Sequence, residues 1–169
     1  MSNFYQDVTK KDPRFNSTQV IKDVSLLEPG TRVKVAKLIV MAHEAGHELR
    51  VGETYRSQAR QRQLFNQKLT QLKNVGQHGF STACDLQLFV NGKYDPNGTD
   101  YAFFADMCKK VGLITGINWG TSGPHSFKDW DHVQSCPTFR QPELFAGTWY
   151  PDPNYDPYQD MKDHGIRSV

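Results

Sequence analysis

Between Thr31 and Ala45 the apolar residues Val35, Leu38, Ile39 and Ala42 recur at helical spacing, which predicts an amphipathic helix. Thr31 is placed to cap it, and Gly46 to end it in the left-handed conformation that glycine adopts without steric cost. Glu48–Tyr55 reads as a strand, and Ser57 as the cap of a helix running through Gln58–Phe65. From Ala83 the period changes to two: Leu86, Leu88 and Val90 take one face, Ala83, Asp85, Gln87 and Phe89 the other, and Asn91-Gly92 closes a hairpin turn. Asp100–Val111, with Tyr101, Phe104, Ala105 and Cys108, is a second core helix ended by Gly112. Leu113–Trp119 and Asp131–Gln134 read as strands, separated by a Gly/Pro loop from Gly120 to His125.

The rest of the chain is less periodic. Residues 1–30 form a loop-rich arm, and Lys68–Gln77 a polar connector. After Cys136 prolines at 137, 142, 151, 153 and 157 alternate with tyrosines, which predicts an extended tail over 137–169, packed on or extending from a domain of residues 1–136. In that tail Asp152, Asn154, Asp156 and Asp163 are spaced loosely like a calcium loop, but Pro157 occupies the position that needs glycine.

At 169 residues, 37% hydrophobic and 22% charged, the chain is long enough for one well-filled domain, which excludes disorder as a whole. A formal charge of +2 provides no steering field that would single out nucleic acid as a partner. Three cysteines without a CxxC pair indicate neither a disulfide framework nor a thiolate metal cluster. Met1–Asp7 lacks a basic region followed by an apolar run, and no stretch approaches the roughly 20 apolar residues of a membrane span, so no signal peptide and no membrane insertion are expected. Synthesis in the cytoplasm is the expectation, with any release to the cell wall or periplasm left to a separate export or lysis system.

Candidate chemistry lies in two segments, Gln77–Leu86 and Phe127–Gln134. His78, Asp85 and His132 together would supply two nitrogens and an oxygen to zinc and leave a fourth position for water, the ligand count of a catalytic site. With six histidines in the chain, other combinations remain open at this point. Seven residues separate His78 from Asp85, so on an unbroken strand they would face opposite ways, and the chain must bend between Gly79 and Ser81. A contiguous HExxH motif, His43-Glu44-Ala45-Gly46-His47, matches the pattern of zinc metalloproteases, but Gly46 should end the helix and take His47 off the face of His43. Solvent-side polar residues at a helix terminus are the expectation there. Arg56 sits at a strand-to-helix junction, a place from which a guanidinium can meet a carboxylate or oxyanion, whereas Arg60 and Arg62 read as a solvated helix face.

Read in order, Thr54-Tyr55-Arg56-Ser57 with Gln61, then His78, Ala83 and Asp85, then Trp119-Gly120, and finally Phe127, Asp129 and His132 resemble the zinc peptidoglycan peptidases of the D-alanyl-D-alanine carboxypeptidase and L-alanyl-D-glutamate endopeptidase family. That group includes vancomycin-resistance dipeptidases and carboxypeptidases and several phage endolysins. The resemblance covers roughly Leu38–Gln134. This chain departs from it at Gly76, where serine is usual, at Ser81, where glycine is usual, at Trp119-Gly120-Thr121 in place of a double glycine, and at Asp131, where proline usually precedes the second histidine.

The resemblance implies an α+β fold with a small, mainly antiparallel sheet flanked by helices, like the Hedgehog and DD-peptidase domains. It implies Zn2+ held by His78, Asp85 and His132, with Asp129 as general base and then acid, and Arg56 holding a substrate carboxylate or the oxyanion. Ser57, Gln61 and Trp119 are candidate substrate contacts. Asp131 is a rival base, but strand alternation aims it away from His132, and His125 is a rival ligand in the Gly/Pro loop. The expected activity is hydrolysis of peptidoglycan stem peptides by a monomer, at the L-alanyl-D-glutamate bond first and at D-alanyl-D-alanine second. A zinc-stabilised binding module without catalysis is the alternative from another class, and it would need neither Asp129 nor Arg56.

Overall fold

Helix formation begins two residues before Thr31, because Pro29 occupies the first turn and Glu28 is the cap. In this computed structural model, which describes residues 2–96, 101–117 and 129–167, the Glu28 carboxylate accepts from the backbone N–H groups of Gly30 and Thr31, both at 2.7 Å. Thr31 therefore lies inside the helix, and its hydroxyl donates to Glu28 instead of capping. The chain runs as α1 (Phe4–Asp7), α2 (Pro29–Glu44), β1 (Glu48–Glu53), α3 (Gln58–Asn66), β2 (Ala83–Val90), β3 (Lys93–Tyr94), α4 (Phe104–Val111), β4 (Ile114–Gly116), β5 (Asp129–Gln134), α5 (Gln141–Ala146) and α6 (Pro157–Asp163). Asp100, expected to open α4, lies outside the described residues; Tyr101–Phe103 form a 3-10 turn leading into it.

The sheet has the order β1-β2-β5-β4, with β3 also paired to β2, and each pairing is antiparallel. The fold is thus the expected α+β class. Asn91 and Gly92 adopt φ of 50° and 76° and close the β2–β3 hairpin, as Asn-Gly turns do. One face of the sheet offers Leu49, Cys84, Leu86, Leu88 and Val133 to Leu38 and Ala42 of α2 and Phe104 and Cys108 of α4, all buried. Each fully buried leucine on this face stabilises the fold by about 2 kcal/mol. Tyr101 fills the gap left on β2 between β5 and β3, accepting from Leu88 N and donating to Leu86 O.

The opposite face carries Asp85, Gln87 and Phe89 and is left by α2 and α4 for the functional site. A shift in the β1–β2 register between Val51 and Glu53 brings Glu53 opposite Asp85. Gly52 stands at that bulge because a Cβ there would come within 2.9 Å of Gln87 Cγ. The C-terminal segment is not extended but folds back as α5 and α6. Phe145 stacks on Phe80, Tyr150 donates to Phe80 O at 2.8 Å, and Tyr158 donates to Leu113 O at 2.9 Å. Among the described residues, no helix is long and apolar enough to cross a membrane.

Candidate metal centre

His78 lies in a 3-10 turn, Gln77–Phe80, which ends at Ser81 with a left-handed φ of 64°. This is the bend that lets His78 and Asp85 share a face. A non-glycine residue in that conformation costs about 1 kcal/mol or more. Offsetting contacts surround it: the Ser81 hydroxyl pairs with Thr9 Oγ1 at 2.8 Å in a buried position, and Ser81 O accepts from Glu28 N at 2.8 Å. The serine at a position usually held by glycine is thus tied to the N-terminal arm and to the cap of α2.

His78, Asp85 and His132 converge, with one potential ligand atom from each lying within 4.8 Å of the others. His78 Nε2 is 2.9 Å from Asp85 Oδ1 and 3.2 Å from His132 Nδ1, and His132 Nδ1 is 3.3 Å from Asp85 Oδ1. The outward nitrogens fix the tautomers. His78 Nδ1 lies 2.7 Å from Thr54 O, a carbonyl that can only accept, so the proton sits on Nδ1 and the lone pair on Nε2. His132 Nε2 lies 3.0 Å from Gln134 Oε1, which leaves its Nδ1 lone pair facing inward. With both rings neutral, two lone pairs and a carboxylate oxygen point at one spot, an arrangement that a cation satisfies, whether a metal ion or a proton. Nitrogen, nitrogen and oxygen donors with histidines braced by acceptors suit Zn2+.

Charge around the triad follows the same logic. Without a metal ion protons take its place: burial alone would raise the Asp85 pKa, but the two imidazoles, in their protonated form, hold it well below the usual carboxylate range. Burial disfavours protonation of His132, yet its bond to Asp85 and the charges of Asp85 and Asp129 raise its pKa. Arg56 is likewise opposed by burial and held charged by Asp85 and Glu53. Its Nη2 donates to Asp85 Oδ2 at 3.1 Å, leaving Oδ1 to face the histidines. Nε and Nη2 bond Glu53 Oε2 at 2.9 and 2.5 Å, and Nη1 bonds Gln61 Oε1 at 3.3 Å, so among the described residues one Nη1 hydrogen remains.

Four residues have other surroundings than expected. Arg60 is not a solvated residue, since its Nε donates to the buried Glu53, whereas Arg62 is exposed as expected. Ser57 is buried, and its hydroxyl donates to Ser17 O and accepts from Arg60 N, so it caps α3. Gln61 is also buried, donating to Leu72 O and positioning Arg56. Asp131 is not turned out of the electrostatic neighbourhood. The β4–β5 pairing skips from Val133 to Asp129, which breaks strict alternation, and burial with the Asp85 and Asp129 charges pushes the Asp131 pKa up to about 7. Its carboxylate accepts from Tyr94 Oη at 3.1 Å. Trp119, Gly120, Thr121, His125 and Phe127 lie outside the described residues.

Glu53, Thr54 O and Gln134 were not predicted as parts of the site. A buried acid three residues before Arg56 was the available signal for Glu53, and the shared face of His132 and Gln134 was the signal for Gln134. The HExxH segment stays apart: Gly46 adopts a φ of 86°, His43 and Glu44 are exposed, and His47 stacks on Phe103 with centroids 3.6 Å apart.

No family model matches the sequence, and no curated protein does. Solved structures do. The fold is that of peptidoglycan peptidases, as the sequence motifs implied. The chain is similar to the L-Ala D-Glu endopeptidase ChiX of Serratia marcescens, with 24% identity, 75% of this chain and 96% of that one covered, and a TM-score of 0.50. It is also similar to the LD-carboxypeptidase LdcB (15% identity, 83% and 65% covered, TM-score 0.56) and to the vancomycin-resistance D,D-pentapeptidase VanY in complex with Zn(II) (11% identity, 71% and 78% covered, TM-score 0.52).

Proposed function

We propose that the protein is a zinc-dependent peptidase that hydrolyses peptide bonds in peptidoglycan stem peptides, with the L-alanyl-D-glutamate bond as its target. The observation that carries this reading is the convergence of three acceptor atoms, from His78, Asp85 and His132, whose outer atoms are already engaged by Thr54 O, Arg56 and Gln134. Such a set needs a cation. Bound there, zinc would polarise the scissile carbonyl and make a water molecule nucleophilic near neutral pH.

The protein's own groups divide the remaining work. Asp129, whose charge reaches both His132 and Arg56, takes the proton of the attacking water and returns it to the leaving amine nitrogen. Arg56 holds Asp85 in place and offers its remaining N–H to the substrate carbonyl or carboxylate as negative charge develops there. Glu53 and Gln61 keep that guanidinium from turning away. The endopeptidase assignment is supported by the likeness to ChiX, almost the whole of which is covered by this chain.

Incubating zinc-loaded protein with purified peptidoglycan, beside Asp129→Ala, and identifying the released termini by mass spectrometry tests the reading. New D-glutamyl N-termini are expected. Released D-alanine without them would reassign the enzyme as a carboxypeptidase, and no new termini on several wall chemotypes would sink the peptidase claim.

A further inference from the structure

The backbone carbonyl of Cys136 accepts two side-chain amides. Gln134 Nε2 donates to it at 2.7 Å and Gln77 Nε2 at 2.6 Å, which uses both lone pairs. Gln77 Oε1 in turn accepts from Cys136 N and from Thr82 Oγ1, both at 3.2 Å. Gln77, Gln134 and Cys136 are all buried. Neither amide can turn over, because its oxygen would then face a carbonyl oxygen that only accepts. Gln134 is therefore locked with Oε1 toward His132 Nε2, and Gln77, the residue before His78, is locked to the same carbonyl.

We propose that Gln134 is a positioning residue that selects the tautomer of His132, with the proton on Nε2 and the lone pair on Nδ1 toward the metal. Gln77 completes the device by tying the turn that bears His78 to the strand end that bears His132. The inference rests on the metal reading above and deepens it. It requires the two histidines to bind through different atoms, His78 through Nε2 and His132 through Nδ1. A Gln134 that served only the packing of β5 would leave the ring proton of His132 free to sit on either nitrogen.

The test uses the zinc-loaded protein with 15N-labelled histidine. Long-range proton–nitrogen correlation is expected to place the remaining ring proton of His78 on Nδ1 and that of His132 on Nε2. In chelator competition, Gln134→Leu should weaken zinc binding by about 10–100-fold. A spectrum with His132 metal-bound through Nε2 overturns the inference, and so does Gln134→Leu binding zinc as tightly as the unaltered protein. The spectrum of the unaltered protein decides the matter even if Gln134→Leu fails to fold. Absence of stoichiometric zinc in the unaltered protein would instead overturn the metal reading itself.

Discussion

Two parts of this molecule combine a pair of histidines with an acid, and only one brings their ligand atoms together. His43, Glu44 and His47 are adjacent in sequence, yet two of them are exposed and the third stacks on Phe103 beyond a helix-ending glycine. His78, Asp85 and His132 are scattered over 55 positions of the chain, yet their ligand atoms lie within 4.8 Å of each other. The difference lies in what stands behind each ring. Thr54 O and Gln134 hold the buried pair in fixed tautomers, whereas solvent takes that place at His43. Sequence proximity does not make a metal site; braced acceptors with converging lone pairs do.

The largest expected effect concerns the chemistry beside the scattered set. Asp129→Asn should lower peptidoglycan hydrolysis by about 100- to 10,000-fold while zinc content stays unchanged, and Asp131→Asn should lower it by far less. Steady-state rates and metal analysis on the two variants check this, and the reverse ranking would make Asp131 the base.

Next comes the bend that brings the scattered set together. Ser81→Ala leaves Thr9 without its buried partner and keeps the left-handed strain, so it should cost about 2 kcal/mol in denaturant unfolding. Ser81→Gly relieves the strain while losing the same bond, and should be less destabilising than alanine by about 1 kcal/mol. Equal costs would mean that the φ of Ser81 carries no strain.

A smaller effect lies in the C-terminal segment that presses on the His78 turn. Asp160 is held below the usual carboxylate pKa by its bonds to Arg140 and Tyr155. A depressed folded-state pKa adds stability above the unfolded value, 3.8, which is lost as pH falls through the folded one. Arg140→Met should therefore cost about 1 kcal/mol at neutral pH and progressively less below about pH 4, as urea unfolding at several pH values would show.

Smallest of all is the contiguous motif. His47→Ala should remove a ring contact with Phe103 worth about 0.5 kcal/mol and leave metal content untouched. A loss of zinc in this variant would break the comparison.

Much of this is legible in the sequence alone. Alternation in Ala83–Val90, the Asn-Gly hairpin, the Ser57 cap and Gly46 as a helix end are local signals, and each is where it was expected. The candidate ligands were readable because their residue types and order resemble a family pattern, and the bend at Ser81 was required by the odd spacing of His78 and Asp85. What escaped depends on contacts across the chain. Arg60 sits on a polar helix, and only the bulge at Gly52 brings Glu53 round to meet it. Asp131 obeys a register shift with β4 that alternation cannot anticipate. The C-terminal helices are short and proline-bounded, and their apolar residues, such as Leu144 and Met161, are too few to show a period.

The most direct test of the central claim is the zinc content of three proteins purified and dialysed alike: unaltered, His132→Ala and His43→Ala. One zinc per chain is expected in the unaltered protein and in His43→Ala, and none in His132→Ala. Zinc retained by His132→Ala and lost by His43→Ala would contradict it and return the contiguous motif to the centre of the molecule.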